Sequence, residues 1–316
     1  MHTAIVKKII PIVLFSIGLA GCGGGNGNDE VSASTAVSSN VLASEPGAPQ
    51  ATGDTATDGF NWFNFRRTQM GLSSVTRSAR IDTAALGHSR YQATNSIITH
   101  EQTRTAVNFT GATLSERLAN AGYELGTAGH MYGEIISSTS YTSGFRSAED
   151  LIAAIYHRFV AFEPMFKEAG AGAATSAQGT TYFTTNFGAV GLNRGLATGT
   201  VVTYPFNGQQ QVPTNFLSDN ELPDPVPSQN EVGYPISVHA NVTASVQVES
   251  FTIHPRAGAP LPVRLLVSST DTYTPKSAAS IIPLTPLTPA TTYEVTFRGS
   301  VDNRAINRFW TFVTRP

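Results

Sequence analysis

Three side chains able to share one piece of chemistry stand out from an otherwise quiet sequence: His100 in Thr99-His-Glu-Gln-Thr103, Glu134 in Gly133-Glu-Ile-Ile136, and His157 in Tyr156-His-Arg158. Two neutral imidazoles and a carboxylate make a first shell for Zn²⁺ or another divalent cation with one position left open. A water held there could be activated for hydrolysis. The same trio could equally form a metal-free polar cluster, the carboxylate accepting hydrogen bonds from one or both rings. Other catalytic patterns fail. His100-Glu101 opens like a zinc-protease motif, but position 104 is Arg. There is no G-x-S-x-G elbow and no phosphate-binding glycine loop, Gly23-Gly24-Gly25 lying in a polar stretch. A net charge of −2 with no basic block gives no footprint for nucleic acid.

The elements that must position the trio come next. Phe60, Phe63 and Met70, widened by Trp62 and Phe65, predict a helix over Gly59–Met70 stopped by Gly71. Ile81, Ala84, Ala85, His88 and Tyr91 predict a second over Ser78–Ser96, and His88 on that apolar face reads first as a satisfied core histidine. Thr113-Leu-Ser-Glu116 is a capping box opening a third helix with Leu114, Leu118 and Ala121 on its buried stripe. A fourth is predicted over Ser147–Phe162. Its stripe is Leu151, Ile155, Phe159 and Phe162, and His157 points nearly opposite, onto small side chains. That face is either a solvated surface or a groove wall. Ala169–Ala174 and Thr180–Phe187 carry a β-hairpin signature, so this region is an α/β layered domain.

The flanks read differently. Lys7 and Lys8 precede the apolar run Ile9–Leu19, a secretory signal too short to span a membrane. Leu19-Ala-Gly-Cys22 resembles the bacterial lipoprotein signal, which implies cleavage before Cys22, lipidation of Cys22 and membrane anchoring. Gly23 in place of Asp implies sorting to the outer membrane. Cys22 is the only cysteine, so no intrachain disulfide forms. Gly23–Thr57 is a polar tether spanning on the order of 30 Å as a flexible coil. Tyr204–Pro235 is rich in Pro, Asn and Gln and reads as an extended connector, or as a strap across the first domain anchored by Phe206, Phe216 and Tyr234. Beyond it, Val246–Ile253, Val263–Val267, Tyr293–Phe297 and Phe309–Val313 read as strands.

Two resemblances follow from these residues. Phe63-Asn-Phe-Arg-Arg-Thr-Gln-Met-Gly-Leu72, Ala84-Ala-Leu-Gly-His-Ser89, His100, Glu116-Arg117 through Ala121-Gly-Tyr123, Gly133-Glu-Ile135, His157-Arg158 and Thr181–Gly188 together resemble the CAP superfamily (cysteine-rich secretory proteins, antigen 5, pathogenesis-related 1). The order is right for seven motifs. Ile135 replaces the family's Asn, no Ser-Pro-Gly precedes His157, and Glu149 or Asp150 could stand in for the second glutamate of animal and plant members, though neither sits in a matching motif. The resemblance implies an α-β-α sandwich whose cleft holds His100, Glu134 and His157. It also implies binding of a divalent metal there in some members, and of sterols or lipids elsewhere in others. Leu287-Thr-Pro-Ala-Thr-Thr-Tyr293-Glu-Val295 resembles a bacterial Ig-like pattern, implying an all-β sandwich with Tyr293 making a corner hydrogen bond.

The expected organisation is a signal peptide (1–21), a lipidated Cys22 with tether (22–58), a CAP-like domain (59–195), a Pro-rich connector (196–232) and an Ig-like sandwich (233–316). The expected function is that of a lipid-anchored envelope protein binding a small-molecule, lipid or protein ligand through the cleft, with or without Zn²⁺. A metal-assisted hydrolase using Glu134, and a structural envelope protein with a vestigial cleft, are the alternatives.

Overall fold

The computed structural model describes residues 15–18, 45–126 and 129–316. Cys22 and most of the leader and tether lie outside the described residues. Helices α1 (Thr55–Gln69), α2 (Ala79–Asn95), α3 (Leu114–Asn120), α4 (Gly144–Ala153) and α5 (Ile155–Ala161) surround a five-stranded sheet. Its strands are β1 (Phe15–Gly18), β2 (Thr76–Arg77), β3 (His130–Thr139), β4 (Glu168–Thr175) and β5 (Thr181–Val190), in the order β1-β3-β5-β4-β2; β1 is an edge strand from the expected signal peptide, and cleavage before Cys22 would leave the other four. The predicted hairpin is β4–β5, and β3 adds antiparallel to β5.

Alternation along the strands separates two faces. Phe183 meets α1 at Gly59, and Ile135, Phe183 and Phe187 share one core with Trp62, Phe63, Leu151 and Phe159. On the other face a smaller core of Ile81, Ala84, Leu114 and Leu118 takes in Tyr132. The CAP-like segment is therefore layered helix, sheet, helix, with α1, α4 and α5 on one side and α2 and α3 on the other. The approach of α2 to β4 needs glycine: a Cβ at Gly170 would fall on the backbone of Ile81–Asp82, and one at Gly172 on Ala85–Leu86.

Three boundaries differ from expectation. The described structure includes the end of the predicted tether, whose polar side chains are used as caps. Asp54 accepts from Thr57 N–H, Asp58 accepts from Thr52, and Glu45 pairs with the buried Arg66 at 2.6 Å. The single helix expected over Ser147–Phe162 breaks at Ala154, whose ψ of 116° is extended. The segment expected as connector supplies strands: β6 (Val202–Tyr204), β7 (Gln209–Val212), β8 (Asn215–Leu217) and β9 (Glu231–Gly233).

The C-terminal part is a β-sandwich. One four-stranded sheet has the order β12-β13-β10-β6, with β10 at Ile236–His239, β12 at Val263–Val267 and β13 at Ala278–Pro283. The other has the order β11-β14-β15-β7, with β11 at Val246–Pro255, β14 at Thr292–Val301 and β15 at Arg304–Thr314. Thus β6 and β7, read as connector, close one edge of each sheet. Tyr293 Oη accepts the Thr288 N–H at 2.8 Å, the corner bond expected of it. The sandwich and the α1/α4/α5 layer share one continuous apolar core. Phe162 packs on Tyr204 and Phe159 on His239, with centroids 4.9 and 5.7 Å apart.

Candidate functional site

His100 sits in the loop between α2 and α3. That loop is tied to α2 from several directions: Tyr91 Oη accepts from Thr103 N–H, Gln92 Oε1 accepts from Thr99 N–H, and His88 Nε2 lies 2.7 Å from Thr99 O. A carbonyl can only accept, so His88 carries its proton on Nε2 and takes the Gln102 Nε2–H on Nδ1 at 2.8 Å. Burial pushes the His88 pKa down to about 4, against the pull of Glu134. It is the satisfied core histidine the apolar face predicts, and it also borders the site, its Nε2 lying 3.8 Å from Glu134 Oε1.

Glu134 projects from β3 toward α2 and α3, and its carboxylate is the centre of the cluster. Arg117 Nη2 donates to Oε1 and Oε2, both at 2.7 Å, while Arg117 Nη1 donates to His100 O at 2.9 Å. His100 Nδ1 lies 2.9 Å from Glu134 Oε1. Burial alone would raise the carboxyl pKa. The Arg117 guanidinium, with His88 and His100, overrides it and holds Glu134 well below the usual carboxylate range. An ionised carboxylate only accepts, so the His100 ring donates through Nδ1. Its Nε2 is the nitrogen left for anything else. That atom is buried and has no hydrogen-bond partner among the described residues, although the ring edge keeps 11% of its side-chain exposure. Asn186, directly across from Glu134 on β5, is fully buried with both amide atoms likewise unpartnered among the described residues.

Of the three predicted site residues, two meet. His157 is paired elsewhere: its Nδ1 lies 3.0 Å from Glu221 Oε1, and both side chains are fully buried. It belongs to α5, in the layer on the sheet face opposite Glu134, and every residue of α5 is buried. It is neither on a solvated face nor on a groove wall, because the helix breaks before it and the sandwich covers it. Among the described residues, no three His, Cys, Asp or Glu side chains form a group able to hold a metal. A cation at Glu134 would compete with Arg117, which donates to both carboxylate oxygens. The stand-ins considered for a second glutamate are used structurally. Glu149 accepts from Trp62 Nε1 at 2.6 Å and Arg66 Nε at 3.0 Å, and Asp150 accepts from Tyr141 Oη.

Arg117 is the residue sequence reasoning passed over. The signal was present: Leu114, Arg117, Leu118 and Ala121 fall at i, i+3, i+4 and i+7, so the arginine lies on a buried stripe and requires a buried acid.

Residues 60–187 match the model of the CAP family, the cysteine-rich secretory protein family. The segment contains His100, Arg117, Glu134 and His157, and excludes Glu221. No curated protein matches the sequence. Solved structures similar to this chain include an extracellular protein containing an SCP domain from Bacillus anthracis, at 20% identity and a TM-score of 0.34, covering 42% of this chain and 39% of that one. Another is an outer surface protein of Borrelia burgdorferi, at 15% identity and a TM-score of 0.34, covering 41% of this chain and 87% of that one. The chain thus spans well under half the length of the Bacillus protein. No helix among the described residues is long and apolar enough to cross a membrane.

Proposed function

We propose that this chain is a lipid-anchored CAP-domain protein of the bacterial cell envelope, held in the outer membrane through Cys22, that binds its ligand through His100. The observation that carries the binding role is the relay Arg117–Glu134–His100. A doubly held carboxylate fixes the ring and its tautomer, leaving Nε2 as the ring nitrogen of His100 that is buried without a protein partner among the described residues. A ligand with a hydroxyl or N–H group satisfies that atom. Arg117 favours the metal-free reading over a Zn²⁺ site built on Glu134, because it neutralises the carboxylate without a cation. The sandwich is of the Ig-like type, a reading supported by the Tyr293 corner bond, and it serves as a supporting module.

The test follows the His100 ring nitrogens by ¹⁵N NMR while the full chain is titrated with Zn²⁺ and, separately, with a panel of hydroxylated small molecules. The expected result is a Nε2 shift with a panel member and none with equimolar Zn²⁺, and that panel member should no longer bind the His100→Ala protein. Stoichiometric Zn²⁺ binding that vanishes in Glu134→Gln would overturn the metal-free reading. A panel that leaves Nε2 untouched would overturn the ligand site. For the anchor, Cys22→Ser should move the protein from the membrane fraction to the soluble fraction; retention in membranes would sink that part.

A further inference from the structure

The break at Ala154 has no local cause. Leu151-Ile-Ala-Ala-Ile-Tyr-His-Arg158 contains neither Gly nor Pro, and Ala is the best helix former there is. Three helical hydrogen bonds are given up: Ile155 N–H to Leu151 O, Tyr156 N–H to Ile152 O, and His157 N–H to Ala153 O. Two buried side chains stand in for the missing halves. Glu221 accepts the N–H groups of Ile155, Tyr156 and His157 at 2.8, 2.6 and 3.3 Å. Arg158 donates to Ile152 O at 2.5 Å and to Ala153 O at 3.4 Å. Both are tied to the C-terminal region. Glu221 belongs to it, and Arg158 reaches Pro235 O at 2.7 Å while its guanidinium lies 4.9 Å from the ring of Tyr204 and 4.9 Å from that of Tyr234.

From this substitution of acceptor for acceptor and donor for donor, we propose that Glu221 is the pin of a two-state element. With Glu221 in place, α4 and α5 stay separate and His157 is held against it. With Glu221 withdrawn, local preference joins α4 and α5 into one helix and turns His157 away from its present seat. The segment outside the CAP-matching residues thereby sets the orientation of a histidine inside them. This goes beyond the ligand role of His100 and stands independently of it.

The experiment uses the full chain. In Glu221→Ala, the Ala154 Cα chemical shift should move from the extended to the helical range, and the His157 ring should lose the ¹⁵N signature of a proton held on Nδ1. Adding Ala154→Gly, which disfavours the continuous helix, should return residue 154 to the extended range, while His157 stays without its carboxylate partner. A folded Glu221→Ala protein with Ala154 still extended would overturn the proposal, whatever the His157 ring signal does. Should that variant not fold, Glu221→Gln carries the test, since its amide keeps one acceptor oxygen. Hydrogen-exchange protection of the Ile155, Tyr156 and His157 amides should then fall by about tenfold with the rest of α4 unaffected. Unchanged protection would overturn the proposal equally.

Discussion

Two histidine–glutamate pairs of nearly equal geometry sit in this molecule and do different work. His100–Glu134 and His157–Glu221 each join Nδ1 to a buried carboxylate oxygen, at 2.9 and 3.0 Å, and each has an arginine near by. In the first, Arg117 grips the carboxylate itself, so the charge is balanced side chain to side chain inside the CAP segment. In the second, the carboxylate is met by three backbone N–H groups, and the arginine turns to the carbonyls on the far side of the same helix break. The first pair orients a ring. The second replaces missing helix bonds and binds two parts of the chain together. The same residue types therefore do not define the same kind of site; what balances the carboxylate does.

The comparison is broken most severely at Arg117. Arg117→Met should leave Glu134 as an uncompensated buried charge and lower stability at pH 7 by about 3–5 kcal/mol, read by denaturant unfolding. The pH response should change with it. In the wild type the low Glu134 pKa contributes stability that is complete above the unfolded value of about 4.3 and is lost as pH falls toward the folded value. Without Arg117, burial dominates and that acid loss should disappear, the variant losing less between pH 5 and pH 3 than the wild type does.

The boundary should answer to alkali instead. Burial raises the Glu163 pKa to about 8, against its hydrogen bonds from Met165 and Val242 N–H, the latter in the C-terminal part at 3.0 Å. A raised carboxyl binds a proton in the folded state that the unfolded chain has released. Stability should therefore fall as pH rises from about 4.5 through 8, by on the order of a few kcal/mol, and Glu163→Gln should flatten that slope in pH-dependent melting. A smaller change is expected of His100→Ala, about 1–2 kcal/mol, because Glu134 keeps Arg117 when the ring is gone. Smallest is Tyr293→Phe, which removes one corner hydrogen bond far from either pair and should cost about 1 kcal/mol with no effect on the His100 or His157 ring signals.

Much of the fold was legible because it is local. The capping oxygen of Thr113, the stop at Gly71 and the alternation of β5 act over a few residues, and the first three helices and the hairpin fall close to where those patterns put them, whereas the fourth helix starts at Gly144, capped by Ser143, rather than at Ser147. Strand β13 is buried along its whole length and does not alternate, and β10, Ile-Ser-Val-His, alternates over only four residues, too short a run to stand out from the sequence. The helix over Ser147–Phe162 was overestimated for a related reason: its periodicity is continuous, and the group that interrupts it is Glu221, 66 residues from Ile155.

By itself the sequence determined the chemistry available: a glutamate and two histidines in family-like motifs, a buried-stripe arginine, and a core histidine with no need of a ligand. Only the tertiary structure decided how these groups are shared out, giving Glu134 to His100 and Arg117 and giving His157 to a glutamate from another part of the chain. The reason is physical. Helices and strands are selected by side chains a few residues apart. The partner of a buried charge is selected by which opposite charge or N–H group lies within hydrogen-bond reach once the layers have packed, and that distance is not written along the chain.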